Sequence, residues 1–223
     1  MTAFSWAERS YGHFGPRVQA GAVAVVMALS LLTTGAWART LHLVALGDSL
    51  TAGYGLPPGQ GFAEVLGRAL KAKGWDVEVT NAGVSGETAE DGLARYDWSV
   101  PAGTDALLVE LGANDMLRGM PPEGANAALA EILERAKKAR VATLLMGMLA
   151  APNLGADYQK KFDAIYPDLA ARYGVALYPF FMAGVAGDPK LTQPDGLHPT
   201  RAGVEVIVAR VSPAVEALLA KIK

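Results

Sequence analysis

Four short stretches of the 223-residue sequence hold side chains that could do chemistry together. Gly47-Asp48-Ser49-Leu50 offers a hydroxyl, and Asn81-Ala82-Gly83-Val84-Ser85-Gly86 a glycine-rich backbone able to aim N–H groups. Gly112-Ala113-Asn114-Asp115 adds a side-chain amide, and Pro194-Asp195-Gly196-Leu197-His198-Pro199 an imidazole three residues after a carboxylate. A hydroxyl nucleophile, donors fixed in advance for a developing oxyanion and a base oriented by an acid are what acyl transfer needs. A loop or tight turn can bring Asp195 to the His198 ring, orienting it and stabilising its protonated form. His42 is poorly placed for this work, because it lies at the far end of the first predicted strand, roughly 20 Å from Ser49.

Each stretch also has a plainer reading. Ser49 could be a helix N-cap, and Asp48 reads as support for the turn. Gly83 and Gly86 could serve only to permit positive φ, although Gly83 can do that and still point its N–H at an oxyanion. Asn114-Asp115 and Asp195-Gly196 are both common in turns. His198 precedes a proline, which keeps it out of helical geometry at the mouth of a helix and suits it to projecting an imidazole. Tyr54, Trp98, Met116 and Met120 read as core or rim packing.

The elements that must position these residues alternate in kind. β-rich runs near Leu41–Leu46, Trp75–Thr80, Ala106–Leu111, Val141–Met146 and Val175–Tyr178 are separated by helical stretches. The helices are expected near Phe62–Lys73, Thr88–Tyr96, Glu123–Ala139, Asp157–Tyr173 and Thr200–Lys221. A repeat of roughly 30 residues between successive strands is the length of a βαβ unit, so the fold class is α/β with a parallel sheet between helices. Gly74 and Gly174 are placed as left-handed helix stops, and Pro199 suits the first turn of the last helix. That helix carries Val204, Ile207, Val208, Val211, Val215, Leu218 and Leu219 on one face, which should pack on the sheet. Ligands of such sheets sit beyond the carboxyl ends of the strands, where the first three stretches fall.

Bulk properties narrow the function. With 51% hydrophobic and 19% charged residues the chain is neither disordered nor a repeat, and its net charge of -2 comes without any basic run, which excludes nucleic acid as an expected partner. Residues 1–38 read as an N-terminal signal peptide: Arg9 and Arg17 precede the apolar run AGAVAVVMALSLL, and a small-x-small site follows at Ala36-Trp37-Ala38. An uncleaved membrane anchor is the other reading of the segment. After removal the domain spans residues 39–223, with no stable membrane span and 18 basic against 21 acidic residues, a net charge of -3. The chain has no cysteine, so disulfides, thiolate metal sites and cysteine nucleophiles are excluded.

GDSLTAGYG, NAGVSGETAEDGLAR, LGANDMLRG and DGLHPT resemble, in order, the four sequence blocks of the GDSL or SGNH hydrolase family. The stretches NLGADYQKKFDAIYPDLAARYGV and YPFFMAGVAGDP are similar to its exported arylesterase, thioesterase and lysophospholipase branch, so the resemblance covers essentially residues 41–215. It implies a three-layer flavodoxin-like fold, a central five-stranded parallel sheet flanked by helices, and a serine hydrolase with no metal or cofactor. By motif position Ser49 is the nucleophile, His198 the base and Asp195 its orienting acid. The oxyanion hole is formed by the Ser49 and Gly83 backbone N–H groups with the Asn114 side chain. The implied substrate is a small-molecule acyl ester, thioester or lipid, with Met116, Leu117 and Met120 as a chain-binding wall. A carbohydrate O-acetyl esterase could use the same set, and a non-catalytic anion-binding α/β protein is the reading from another class. Export to the periplasm or medium is expected, and nothing requires more than a monomer.

Overall fold

The computed structural model describes Met1 and residues 39–222, so the signal segment expected at the N-terminus lies outside the described residues apart from Met1. Five strands form one parallel sheet: β1 (Leu41–Gly47), β2 (Val77–Gly83), β3 (Ala106–Glu110), β4 (Ala142–Met146) and β5 (Ala176–Tyr178). Their order is β2-β1-β3-β4-β5, and all four pairings are parallel. This doubly wound order reverses direction between β1 and β3, which opens a crevice beyond their carboxyl ends. Residues 43–46 of β1 are all buried, the pattern of a central strand covered on both faces.

Eight α-helices follow in chain order among the described residues: α1 (Ser49–Ala52), α2 (Phe62–Ala72), α3 (Ala89–Ala94), α4 (Tyr96–Ser99), α5 (Ala113–Leu117), α6 (Pro122–Lys138), α7 (Ala156–Tyr173) and α8 (Arg201–Leu219). Helices α2 and α8 pack together on one side of the sheet, while α6 packs against both α3 and α7 on the other. The three layers thus match the expected architecture. Every residue of the apolar face expected on the last helix is buried in α8. Full burial of one such Val or Leu is worth about 1.5–3 kcal/mol, so this stripe fastens the C-terminus to the sheet.

The differences from the sequence reading lie at element ends. β2 begins at Val77 and runs on to Gly83, so Gly83 is the last residue of a strand rather than part of a loop. The expected helix over Thr88–Tyr96 is two short helices broken at Arg95. Pro199 lies outside the last helix, in an isolated antiparallel bridge with Thr192, and Thr200 is the N-cap, its hydroxyl accepting from the Gly203 N–H at 3.2 Å. The helix starts later because a Thr hydroxyl can satisfy a first-turn N–H, which proline cannot do. Two short helices were not expected, and both begin directly at strand exits: α1 at Ser49 and α5 at Ala113.

Candidate active site

The turn after β1 is built by Asp48. Its backbone is non-helical and its Oδ1 accepts from the Leu50 N–H at 2.9 Å, so Asp48 is the N-cap and Ser49 the first residue of α1. The capping role considered for Ser49 therefore belongs to its neighbour. Ser49 is 9% exposed, enough for its hydroxyl to meet the crevice.

A clasp brings the late loop to the same place. Asp195 Oδ1 accepts from the Leu197 and His198 N–H groups at 2.9 and 3.0 Å, while its Oδ2 meets His198 Nδ1 at 2.7 Å. His198 Nε2 stands 2.9 Å from Ser49 Oγ. The ring also packs on Tyr54, centroid to centroid 4.5 Å. Gln193, which the sequence reading passed over, ties the two sides together: its amide donates to Tyr54 O at 2.7 Å and to Pro199 O at 3.0 Å. Three hydrogen bonds, from the His198 ring and the Leu197 and His198 N–H groups, hold the Asp195 carboxyl down at about 2, the His198 ring foremost. Asp195 stays an anion wherever an imidazole titrates, and a hydroxyl, imidazole and carboxylate in this chain can pass a proton from oxygen to ring.

The exits of β2 and β3 close the other side. Gly83 pairs with Gly47 in register, and a Cβ there would stand 2.3 Å from Ala52 N and 2.8 Å from Ala52 Cα. Close approach to α1, not positive φ, is what demands glycine at 83; Gly86 does have φ +87°. The Gly83 N–H donates to Asn81 Oδ1 at 3.0 Å. Thr88 and Asp91 form a capping box that starts α3 and anchors the loop after β2. Gly112, at φ +109°, turns the chain out of β3 into α5. Asn114 in that helix sends its Nδ2 to Asp48 Oδ2 at 3.1 Å and to Glu87 O at 2.9 Å. An oxyanion using Gly83 or Asn114 must therefore share or take over a bond already made.

Two further carboxyls lie beneath the turn. Asp48 and Glu110 are fully buried; Glu110 Oε2 accepts from Thr51 Oγ1 at 2.7 Å and from the Asp48 N–H at 3.4 Å. Burial pushes Asp48 up to about 6, against the pull of the Leu50 N–H, His198 and Asn114. Burial and then the charge of Asp48 drive Glu110 well above the carboxylate range. Among the described residues no three His, Cys, Asp or Glu side chains converge as a metal-binding group.

Beside Ser49 opens a mainly apolar cavity of about 430 Å³, walled by Met116, Leu117, Met148, Leu149, Phe180 and Met182. Met116 and Leu117 stand where the sequence reading put them, but Met120 does not line it; the Met120 carbonyl instead accepts from Tyr158 at 2.9 Å. The other four walls follow β4 and β5, exits to which the strand-end rule was not extended. Trp98 projects into solvent on α4, and His42 sits at the opposite sheet end facing Glu78 at 3.6 Å.

Comparison with known proteins agrees with this construction. Residues 45–206 match the model of the GDSL-like lipase/acylhydrolase family. The chain is 40% identical over 194 residues to Esterase TesA of Pseudomonas aeruginosa, covering 86% of this chain and 96% of the relative. It is 40% identical over 174 residues to Thioesterase 1/protease 1/lysophospholipase L1 of Escherichia coli strain K12, covering 78% and 82%. Among solved structures, AlinE4, described as an SGNH-hydrolase family esterase, superposes with TM-score 0.69 at 44% identity, over 82% of this chain and 99% of that one. With its four motif blocks gathered at one crevice, the chain belongs to the GDSL-like lipase/acylhydrolase family and is an ester-bond hydrolase.

Proposed function

We propose that the chain hydrolyses esters or thioesters of apolar acyl groups through an acyl-enzyme on Ser49. The observation that carries this reading is the 2.9 Å approach of His198 Nε2 to Ser49 Oγ at the mouth of the apolar cavity. As Ser49 attacks the acyl carbonyl, His198 takes the hydroxyl proton and Asp195 offsets the charge on the ring. Oxyanion charge falls to the Ser49 and Gly83 N–H groups and the Asn114 amide. His198 then protonates the departing alkoxide or thiolate, and in the second half-reaction draws a proton from the water that releases the acid. The acyl chain lies along Met116, Leu117, Met148 and Met182. The substrate is a small acyl ester or lipid, met by a monomer that the N-terminal segment has directed out of the cytoplasm, to the periplasm or beyond.

The test is an acyl-chain scan with p-nitrophenyl esters on the chain starting at Arg39, with Ser49→Ala as control. Each methylene that reaches apolar wall adds about 0.8 kcal/mol, so kcat/KM should climb up to about fourfold per CH2 beyond acetyl until the cavity is full. A steep drop beyond acetyl points instead to a carbohydrate O-acetyl esterase. Fluorophosphonate should label the chain and fail to label Ser49→Ala; a label that persists on the variant sinks the serine mechanism.

A further inference from the structure

The Asp48 and Glu110 carboxyls take no part in the proton path described above, yet they lie directly under the nucleophile and both are wholly buried. Neither forms an ion pair with a Lys or Arg among the described residues. The donors cover both oxygens of one carboxyl and only one oxygen of the other. Asp48 receives the Leu50 N–H on one oxygen and the Asn114 amide on the other. Glu110 has the Thr51 hydroxyl at 2.7 Å and the Asp48 N–H at a long 3.4 Å on Oε2, with the Thr51 N–H also acting on the carboxyl, yet its buried Oε1 has no partner.

The charged and titratable groups around the pair do not supply a missing cation. His198 faces Asp48 from the late loop. Arg95 reaches in from the start of α4, but only as far as Gly47 O at 3.1 Å, and Glu87 holds its Nε at 2.6 Å. Tyr166 comes from α7 and spends its hydroxyl on Leu111 O, while Asp115 and Asp163 add only negative charge to this region. Two adjacent buried carboxyls without a fixed cation cannot both ionise, because each anion loses its water and repels the other. The proton belongs on the member with a bare oxygen, Glu110, since an unpartnered buried oxygen is tolerable on a neutral acid and far more costly on an anion.

We propose that Glu110 is kept as a neutral carboxylic acid beneath the nucleophile turn, so that the pair holds one proton and the single anion left on Asp48 is the positioning residue that sets the Asn114 amide. The negative charge of Asp48 draws one Asn114 N–H to it, while Glu87 O takes the other, and these two bonds fix the plane of the amide beside Ser49. Uptake of a second proton by the pair releases that grip. Burial and the charge of Asp48 raise Glu110 well above the carboxylate range, whereas Asp48 is raised only to about 6, so Glu110 is the member that keeps the proton at neutral pH.

The location of the proton is tested without reference to catalysis. For Glu110 the folded state binds the proton more tightly than the unfolded one, so its contribution to stability is lost as pH rises above the ordinary glutamate range. Glu110→Gln removes that loss. The variant's Tm relative to the parent should therefore become more favourable, by about 10 °C, between pH 5 and pH 8. A difference that is flat, or turns less favourable as pH rises, overturns the neutral acid. Should the variant fail to fold, the parent chain at pH 8 decides: the infrared carbonyl band of a protonated carboxylic acid is expected, and its absence overturns the assignment.

The positioning role rests on the function proposed above and is read from kinetics. Asp48→Asn presents an amide donor to Asn114 in place of an acceptor. It should lower kcat by about 10–10² with KM changed less than twofold, since removing an oxyanion donor outright costs about 10²–10³. The acid limb of log kcat should become less steep in the variant, because Asp48 no longer takes up a proton there. Unchanged kcat and slope overturn the role of Asp48. Absence of all hydrolysis and of fluorophosphonate labelling in the parent chain would refute the function itself, and the stability and infrared results would be unaffected.

Discussion

The two sides of the crevice both rest on carboxyls, and they handle them in opposite ways. Asp195 sits on a loop with its side chain 37% exposed, and hydrogen bonds from His198 and two backbone N–H groups depress it to about 2. Asp48 is sealed beneath the sheet rim with a comparable number of donors, yet it is raised to about 6. What separates them is water. Where solvent remains, donors decide and the anion is stabilised; where it is excluded, desolvation exceeds the same donors. The loop side thus keeps a permanent charge beside the His198 ring, while the strand side keeps charge scarce beneath Ser49.

The sharpest way to break this contrast is to remove Asp195. Asp195→Ala should reduce kcat by about 10⁴, measured with a p-nitrophenyl ester, because the His198 ring loses both its orientation and its counter-charge. Next comes Asn114→Ala on the opposite wall, expected to lower kcat by about 10²–10³ and leave the fold intact by circular dichroism. Gly83→Ala should act through structure: with its Cβ inside contact distance of the Ala52 backbone, α1 must shift, lowering Tm and kcat together. Gln193→Ala, which only loosens the clasp between the late loop and Tyr54, should cost a few-fold in rate, no more than about the tenfold of a lost neutral hydrogen bond.

Stability against pH sharpens the same contrast with the smallest signal. Asp195 is depressed in the fold, so what it contributes is present above the ordinary aspartate range and is lost as pH falls towards 2. Its exposure screens the effect. Asp48 is raised, so its contribution is present in acid and is lost as pH rises from about 4 through 6. Thermal melts of Asp195→Asn and Asp48→Asn between pH 3 and 8 should therefore diverge from the parent in opposite directions. Parallel curves would show that the two carboxyls share one kind of environment.

Much of this is legible in the sequence. The strands announce themselves as apolar runs, and the rule that ligands gather at strand exits led to Ser49, Gly83 and Asn114 because local residue types carry that information. The Asp195 and His198 pair was equally visible, since three residues of loop suffice to join them. The distance from His198 to Ser49 was not, because it depends on how α8 docks and on the Gln193 bridge, both long-range matters. The far walls of the cavity, Met148 and Met182, lay at exits of β4 and β5 that look like ordinary core sequence. Glu110 does leave a trace, a lone acid closing the otherwise apolar run Ala106–Val109, but only the fold shows that it is buried with no Lys or Arg ion pair among the described residues.

The oxygen of Ser49 and the ring of His198 are separated by 149 positions along the chain. A polypeptide made from its amino end completes the first three strand exits long before His198 is added, and contacts over such a span are slow to form. Until the chain around the final helix has seated, the growing or unwound polymer cannot hold the His198 ring against the Ser49 hydroxyl. The complete site therefore exists only in the finished tertiary structure.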